Sequence, residues 1–360
     1  MPTRIVSIGT SVPATSLSQE ALRDFFAAQP GRDRLARRYI SAAFDAAGIQ
    51  RRNTAITGLG GTPDGLFVAE DATLLAPTTG VRNAFYREVA PELAASAARS
   101  AVGEAEVSPE RVTHLLTVSC TGFFAPGLDY HLIRDLGLAS HVERSHLGFI
   151  GCAAALPALR LASQITQADP QAVVLVVSVE LCSIHVRDSS DPEQIVASSV
   201  FADGAAAAVV TADEHEGRPG GLLLERFASA LTDEGESDMV WTIGDHGFEM
   251  RLSAEVPRII GREIRQAVDR FLGTEQPPAS WAVHPGGRSV LDRVEKGLSV
   301  PAEALATSRT VLRDFGNMSS ATILFILRHM MADPTVRGSI AALAFGPGLT
   351  VESALLRKAV

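Results

Sequence analysis

At 360 residues and 46% hydrophobic, the chain is long for a single core, so two domains or two packed halves are expected. A formal net charge of −9 and a pI of about 5.5 exclude the basic stripe that a duplex-binding surface needs. The cluster Arg34, Arg37 and Arg38 and the pair Arg51 and Arg52 read instead as solvated helix faces, an anionic, nucleotide-bearing ester being the other ligand class they suit. Three cysteines, Cys120, Cys152 and Cys182, are an odd count in a large acidic chain, which argues against a disulfide framework and for a reducing, cytoplasmic setting.

The opening MPTRIVSIGTSVPATS lacks the apolar core of a secretion signal and reads as a strand followed by a turn. Residues 113–118 (THLLTV) are a buried-strand run that leads into a Cys-Thr-Gly turn and then Pro126-Gly127. Residues 172–179 (AVVLVVSV) are another unbroken apolar strand, far too short to span a bilayer. Residues 205–210 follow Asp203-Gly204 as a further strand. Continuous apolar strands between helical stretches mark a sheet covered on both faces. The polar stretch 211–221 divides the chain into halves at 1–218 and 219–360. The second half offers a helix over 257–272, a strand over 280–283 running into HPGG, and a helix from about 289 to 298. A turn in GNMSSA then feeds a helix, and SIAALAFGPGLTVESALL reads as two strands joined by Gly-Pro-Gly. The fold class is α/β, and each half carries a reactive-looking residue just after a strand.

Cys152 lies in GFIGCAAALPALRLA, where small residues and then a helical pattern follow the thiol. That places it at a helix N-terminus, where orphan N–H groups and the helix dipole favour a thiolate. Read alone, a cysteine in an alanine-rich stretch is more often a buried structural residue. His284, at a strand end before Pro-Gly-Gly, suits a general acid or base, or an oxyanion donor, and equally a satisfied turn. Asn317 follows Gly316 and opens a Ser-rich helix start, so it reads as an N-cap or as an amide donor aimed into a cavity. Together a Cys, a His and an Asn on Gly-marked turns can assemble one nucleophilic site.

The segments GCAAALPALRLA, VHPGGRSVLDRVE, FGNMSSATILFIL and FGPGLTVE resemble, in that order, the signature segments of the chalcone synthase superfamily of type III polyketide synthases. SCTGFFAPGLDYHLIRDLGL and SSVFADGAAAAVV match as well, and the resemblance runs from about residue 80 to the C-terminus. It implies a thiolase-like fold of two similar five-layered α/β/α/β/α halves, working as a homodimer. It implies Cys152 as nucleophile, held with His284 as a thiolate–imidazolium pair. His284 and Asn317 would donate to the thioester carbonyl of malonyl-coenzyme A during decarboxylation. The partners implied are an acyl-coenzyme A starter and malonyl-coenzyme A, with no further cofactor, no metal, no nucleic acid and no membrane span.

The same resemblance assigns Phe201 as a gate between the coenzyme A tunnel and the active site, and Gly346, Pro347 and Gly348 to the loop shaping the cyclisation chamber. The second gate, usually Phe, is Met250. Ala125 stands where the chamber wall at the dimer interface often carries Met, and Ala125-Pro126 is a candidate cis bond. Trp241 replaces a Gly, Cys182 and His185 replace threonines, and Cys120 replaces another threonine. Ala344 stands in for the first Gly of the last loop. The positions that hold the coenzyme A phosphates fall in the mostly uncharged stretch 39–46, leaving Arg37, Arg38 or Arg288 as substitutes. Ala125 and Met250 point to an aliphatic, long-chain starter, and Trp241 points the other way, to a small aromatic or malonyl-only product. The rival within the fold is a single-condensation ketoacyl carrier-protein synthase, which the FGPGLTVE segment disfavours. A rival of another class, an inactive ligand-binding scaffold, predicts a missing triad residue, and all three are present.

Overall fold

The computed structural model describes residues 2–212, 220–274 and 276–358. The N-terminal half begins with β1 (Thr3–Ser11), β2 (Thr15–Ser18), α1 (Gln19–Ala27), α2 (Arg34–Ala46) and β3 (Arg51–Thr54). It continues through α3 (Thr79–Ala105), β4 (His114–Ser119), α4 (Leu128–Leu136), β5 (Glu143–Gly148), α5 (Ala155–Ala168), β6 (Val173–Leu181), α6 (Pro192–Val200) and β7 (Asp203–Ala212). The C-terminal half holds β8 (Leu222–Leu231), β9 (Met239–Gly244), β10 (Gly247–Leu252), α7 (Val256–Leu272), β11 (Ser280–Val283) and α8 (Arg288–Leu298). It ends with α9 (Ala306–Phe315), α10 (Thr322–Ala332), β12 (Gly338–Gly346) and β13 (Thr350–Lys358).

Most strands and helices expected from the apolar runs stand within two residues of their expected limits, because those runs are long enough to specify period and burial together. The strand β6, valine-rich and buried at every residue, lies mid-sheet. The expected boundary between 1–218 and 219–360 falls on residues 213–219, which lie outside the described residues.

Nine strands pair in the order β11-β12-β13-β8-β1-β7-β6-β4-β5. The sheet is mixed: β4 runs parallel to β5 and β6, and β11 to β12, while the other neighbours are antiparallel. The two halves join through a short β1–β8 contact, Thr3 to Ile5 against Leu222 to Leu224. Around this sheet lie three cores. The central one packs α5 and α10 between strands of both halves, with Leu156, Leu159, Leu324 and Leu327 buried. An outer core sits under α3 and another under α7 and α8. Helices α5 and α10 thus lie between the two parts of this one sheet, with α3 outside one part and α7 and α8 outside the other. The five layers are built by both halves together and not, as the resemblance implied, within each half. Alanines of α3, α5 and β7 let these layers approach closely; at Gly9 a side chain would meet the Ala97 carbonyl at 2.2 Å. The Ala125–Pro126 peptide is cis. Among the described residues, no helix is long and apolar enough to cross a membrane.

Candidate active site

Cys152 sits in a single 3-10 turn, Gly151–Ala153, that opens into α5. The turn exists because Gly151 takes φ +68°, and its missing side chain admits Pro347, whose Cδ would lie 2.3 Å from an added Cβ. His284 follows β11, its N–H donating to the Leu343 carbonyl at 2.8 Å. Asn317 follows Gly316, which takes φ +73° at the end of α9. The Asn317 Oδ1 accepts the Ser319 N–H at 2.9 Å, a local turn bond, while the N-caps of the turn and helix that follow are Met318 and Ala321, so the expected capping role falls away. Its Nδ2 donates one N–H to the Gly286 carbonyl at 3.3 Å, and the second faces the Cys152 sulfur, where a ligand oxygen can take it once that sulfur is acylated.

The three side chains line one cavity of about 350 Å³, together with Phe201 and Met250. This chamber lies between two others. An outer cavity of about 1290 Å³ shares Met239, Leu252, Gly286 and Val290 with it. An inner chamber of about 630 Å³ shares only Phe201 and Met250, so these two residues form the partition. The triad and both expected gates are thus brought together.

The charges at the site differ from the expected thiolate–imidazolium pair. Burial pushes the Cys152 thiol up to about 11, although hydrogen bonds from Ser319 and Asn317 pull it down, and the buried Glu180 carboxyl adds to the rise. Burial alone takes the His284 imidazole down to about 3. Neither nitrogen of His284 has a hydrogen-bond partner among the described residues. Burial therefore favours the neutral thiol and the neutral imidazole, against the expected thiolate–imidazolium pair. Desolvation wins because no fixed charge of opposite sign faces either group.

Other expected positions divide. Cys182, His185 and Trp241 line the inner chamber. His185 is locked as the neutral ring: it stacks on Phe248 at 4.3 Å, its Nε2 faces the Thr121 carbonyl at 2.8 Å, and its Nδ1 accepts the Phe248 N–H at 2.9 Å. Cys120 lines none of the three chambers. Its sulfur accepts the Gly151 N–H at 3.1 Å, so it supports the nucleophile turn rather than contacting ligand. Gly346 and Pro347 likewise buttress that turn instead of lining a chamber, a side chain at Gly346 meeting the Ile150 carbonyl at 2.8 Å, and Gly348, where an added side chain would meet nothing, lines none of the three chambers either. Ala125 is exposed in the single chain and lines no chamber. Arg37 and Arg38 are exposed on α2 and stand outside the outer cavity, which takes Ala43, Ala46 and Ala47 from that helix and its end. Arg288 does line it, beside Arg258 and Arg293, which sequence reasoning missed because only the packing of α7 against α8 turns them to one side. Arg52 is the largest departure: expected on a solvated helix face, it lies on β3 with 4% exposure.

Residues 2–214 match the family described as "Chalcone and stilbene synthases, N-terminal domain", and residues 226–360 its C-terminal counterpart. The chain is 31% identical to "Alpha-pyrone synthesis polyketide synthase-like Pks18" of Mycobacterium tuberculosis over 363 residues, 98% of this chain and 90% of that protein. It is 31% identical to "Probable polyketide synthase 1" of Dictyostelium discoideum, of which it spans only 11%. The C-terminal type III polyketide synthase domain of Dictyostelium 'Steely1' superposes with a TM-score of 0.93 at 28% identity, with each chain covered in full.

Proposed function

Starting from a chain that belongs to the chalcone and stilbene synthase family, the type III polyketide synthases, with their thiolase-like fold and acyl-transferring chemistry, we propose an iterative condensing enzyme. It extends an acyl-coenzyme A starter, held on Cys152, with two-carbon units from malonyl-coenzyme A, then closes the chain to a pyrone or to a resorcinol or phloroglucinol ring. The observation that carries this reading is the convergence of Cys152, His284 and Asn317 on one chamber between an outer and an inner cavity.

The outer cavity suits coenzyme A. Arg258, Arg288 and Arg293 at its rim supply donors for phosphates. The Cys152 thiol attacks the starter carbonyl as the neutral His284 takes its proton, and that proton leaves with the coenzyme A thiolate. His284, neutral again, keeps one N–H. It and the spare Asn317 N–H then hold the malonyl thioester oxygen. Carbon dioxide departs, and the electron pair of the broken carbon–carbon bond rests on that oxygen as an enolate. The enolate carbon attacks the Cys152 thioester carbonyl and expels the Cys152 thiolate, leaving a chain two carbons longer as its coenzyme A thioester, which reloads onto Cys152 with release of coenzyme A for the next round. Phe201 offers an apolar face that favours neutral carbon dioxide over a carboxylate. The chemistry needs no metal or redox cofactor, since decarboxylation itself supplies the carbanion equivalent.

The inner chamber suits the growing chain. Leu17, Leu22, Phe26 and Leu59 give it an apolar end, and Met250 gives an adaptable partition, which supports an aliphatic, long-chain starter. Trp241 narrows it from the other side, 6.0 Å from Phe248 and 6.5 Å from Phe201. A homodimer would bring Ala125 of a partner to this wall. The halves would meet at 218/219, and the protein would act in the reducing cytoplasm that its unpaired cysteines suit. Mass analysis of the intact protein after incubation with a starter thioester tests the first step: one acyl group on the Cys152 peptide is expected, and acylation retained in Cys152→Ala would overturn it.

A further inference from the structure

Arg52 is a buried cation without an anion. Its Nη1 donates to the Phe201 carbonyl at 2.6 Å, and its guanidinium carbon lies 5.5 Å from the Phe44 ring centre. Nε and Nη2, which form one edge of the planar group, have no partner among the described residues. Asp203, the carboxylate whose field reaches it, is not in ion-pair contact; it is taken by the Ser183 N–H at 2.8 Å, the Ser183 hydroxyl at 2.5 Å and the Ala55 N–H at 2.7 Å.

The surroundings add positive charge. Arg187 lines the same inner chamber, with Nη1 on Glu249, Nη2 on the Gly247 carbonyl, and Nε unpartnered. No Asp or Glu lines that chamber. A desolvated guanidinium with two idle donors is strongly unfavourable unless a counter-charge visits it. Among the described residues, the only other buried ring or guanidinium left as idle on a chamber wall is His284, whose idle nitrogens serve the reaction.

Phe201 and Met250 line both chambers, so an anion formed on the growing chain at Cys152 reaches Arg52 past them. We propose that Arg52 is an oxyanion anchor of the inner chamber, taking the enolate of a 1,3-dicarbonyl unit in the growing chain or of the acidic pyrone to which it closes. This rests on the condensing function above. Each extension creates a methylene between two carbonyls. Loss of one of its protons to water leaves a charge shared by two oxygens in one plane; in the U-shaped open chain two parallel N–H donors along one guanidinium edge match that pair, and on the ring, where the two oxygens diverge, they meet the charged 4-oxygen alone. Hydrocarbon starter and charged chain then occupy different parts of one chamber: the leucines take the tail and Arg52 the dicarbonyl.

The test is a titration of full-length Cys152→Ala protein, so binding is read without turnover. Trp241, on the chamber wall, reports by fluorescence; the other tryptophan, Trp281, lines a separate pocket. The probes are triacetic acid lactone, a pyrone ionised at neutral pH, and its neutral methyl ether. The anion is expected to bind at least tenfold more tightly than the ether. Arg52→Met should erase that preference while ether binding persists, and Arg52→Lys should keep part of it. Arg52 also fastens the Phe201 carbonyl, so a purely structural role would weaken both probes alike. That outcome, or equal affinities in the parent protein, overturns the proposal. Dependence on Arg52 of a preference for adipoyl- over hexanoyl-coenzyme A as starter would also overturn it, in favour of a starter carboxylate. Failure of the condensing function itself would show separately, as no chain extension by the unaltered protein.

Discussion

Phe201 and Asn317 are joined as a parallel β-bridge: the Asn317 N–H donates to the Val200 carbonyl at 2.9 Å, and the Ala202 N–H donates to the Asn317 carbonyl at 2.8 Å. The backbones that carry the gate ring and the amide donor are therefore tied directly to each other. The carboxamide can be altered without disturbing this bridge. Asn317→Asp keeps an oxygen for the Ser319 N–H and loses the donor. Malonyl-coenzyme A decarboxylation should fall by roughly 10² to 10³, in a folded protein whose melting temperature drops with loss of the Gly286 hydrogen bond. A carbon dioxide release rate near that of the parent would remove Asn317 from the oxyanion site.

The resting charge of Cys152 sets how it meets an alkylating agent. With the thiol pushed up to about 11 and no imidazolium beside it, inactivation by iodoacetamide should quicken steadily from pH 6 to pH 10. A preformed ion pair would instead give a rate already level near pH 6. Glu180→Gln, which removes a carboxyl that raises the thiol, should shift the rise to lower pH.

Acid stability isolates His284. Its imidazole is held near 3 in the folded chain against about 6.5 when unfolded. The unfolded chain therefore binds the proton first, and the stability contributed by the neutral ring is complete above pH 6.5 and lost as the pH falls toward 3. His185, held near 3 by burial, behaves in the same way. Between pH 7 and pH 5 the parent should lose about 2 kcal/mol relative to His284→Gln, read from urea unfolding at both pH values. A constant difference between the two proteins would mean that His284 is not desolvated.

The nucleophile turn is the most brittle part of the site. Gly151→Ala places a side chain at φ +68° and drives it against Pro347. The backbone term alone costs roughly 1–2 kcal/mol, and a shift of Cys152 by about 1 Å costs on the order of 10² in rate. A folded, less stable protein with slow acyl transfer is expected in a starter-acylation time course.

Cys152, His284 and Asn317, which the structure brings to one chamber, could be picked out because each sits on a turn marked by glycine and because their segments together resemble one family in chain order. The strand over 280–283 and the helix over 257–272 were legible from their local apolar period. Arg52 was not: its neighbours Arg51 and Asn53 are polar, and only the closure of β3 against α2, α6 and β7 buries it. The roles of Cys120 and Pro347 were misread because resemblance names a position without giving the direction of its side chain; both turn to Gly151. Neutrality of the Cys152 and His284 pair is likewise a property of the packed chamber, since desolvation depends on what surrounds the groups and not on their spacing in the chain.

Incubation with radiolabelled malonyl-coenzyme A and a panel of acyl-coenzyme A starters, resolved by chromatography and mass beside Cys152→Ala, tests the condensing function most directly. Labelled pyrones or resorcinols carrying two or more extensions, absent from the mutant, are the predicted result. Products limited to one extension, formed only when malonyl carrier protein replaces malonyl-coenzyme A, would contradict it and make the protein a carrier-dependent synthase.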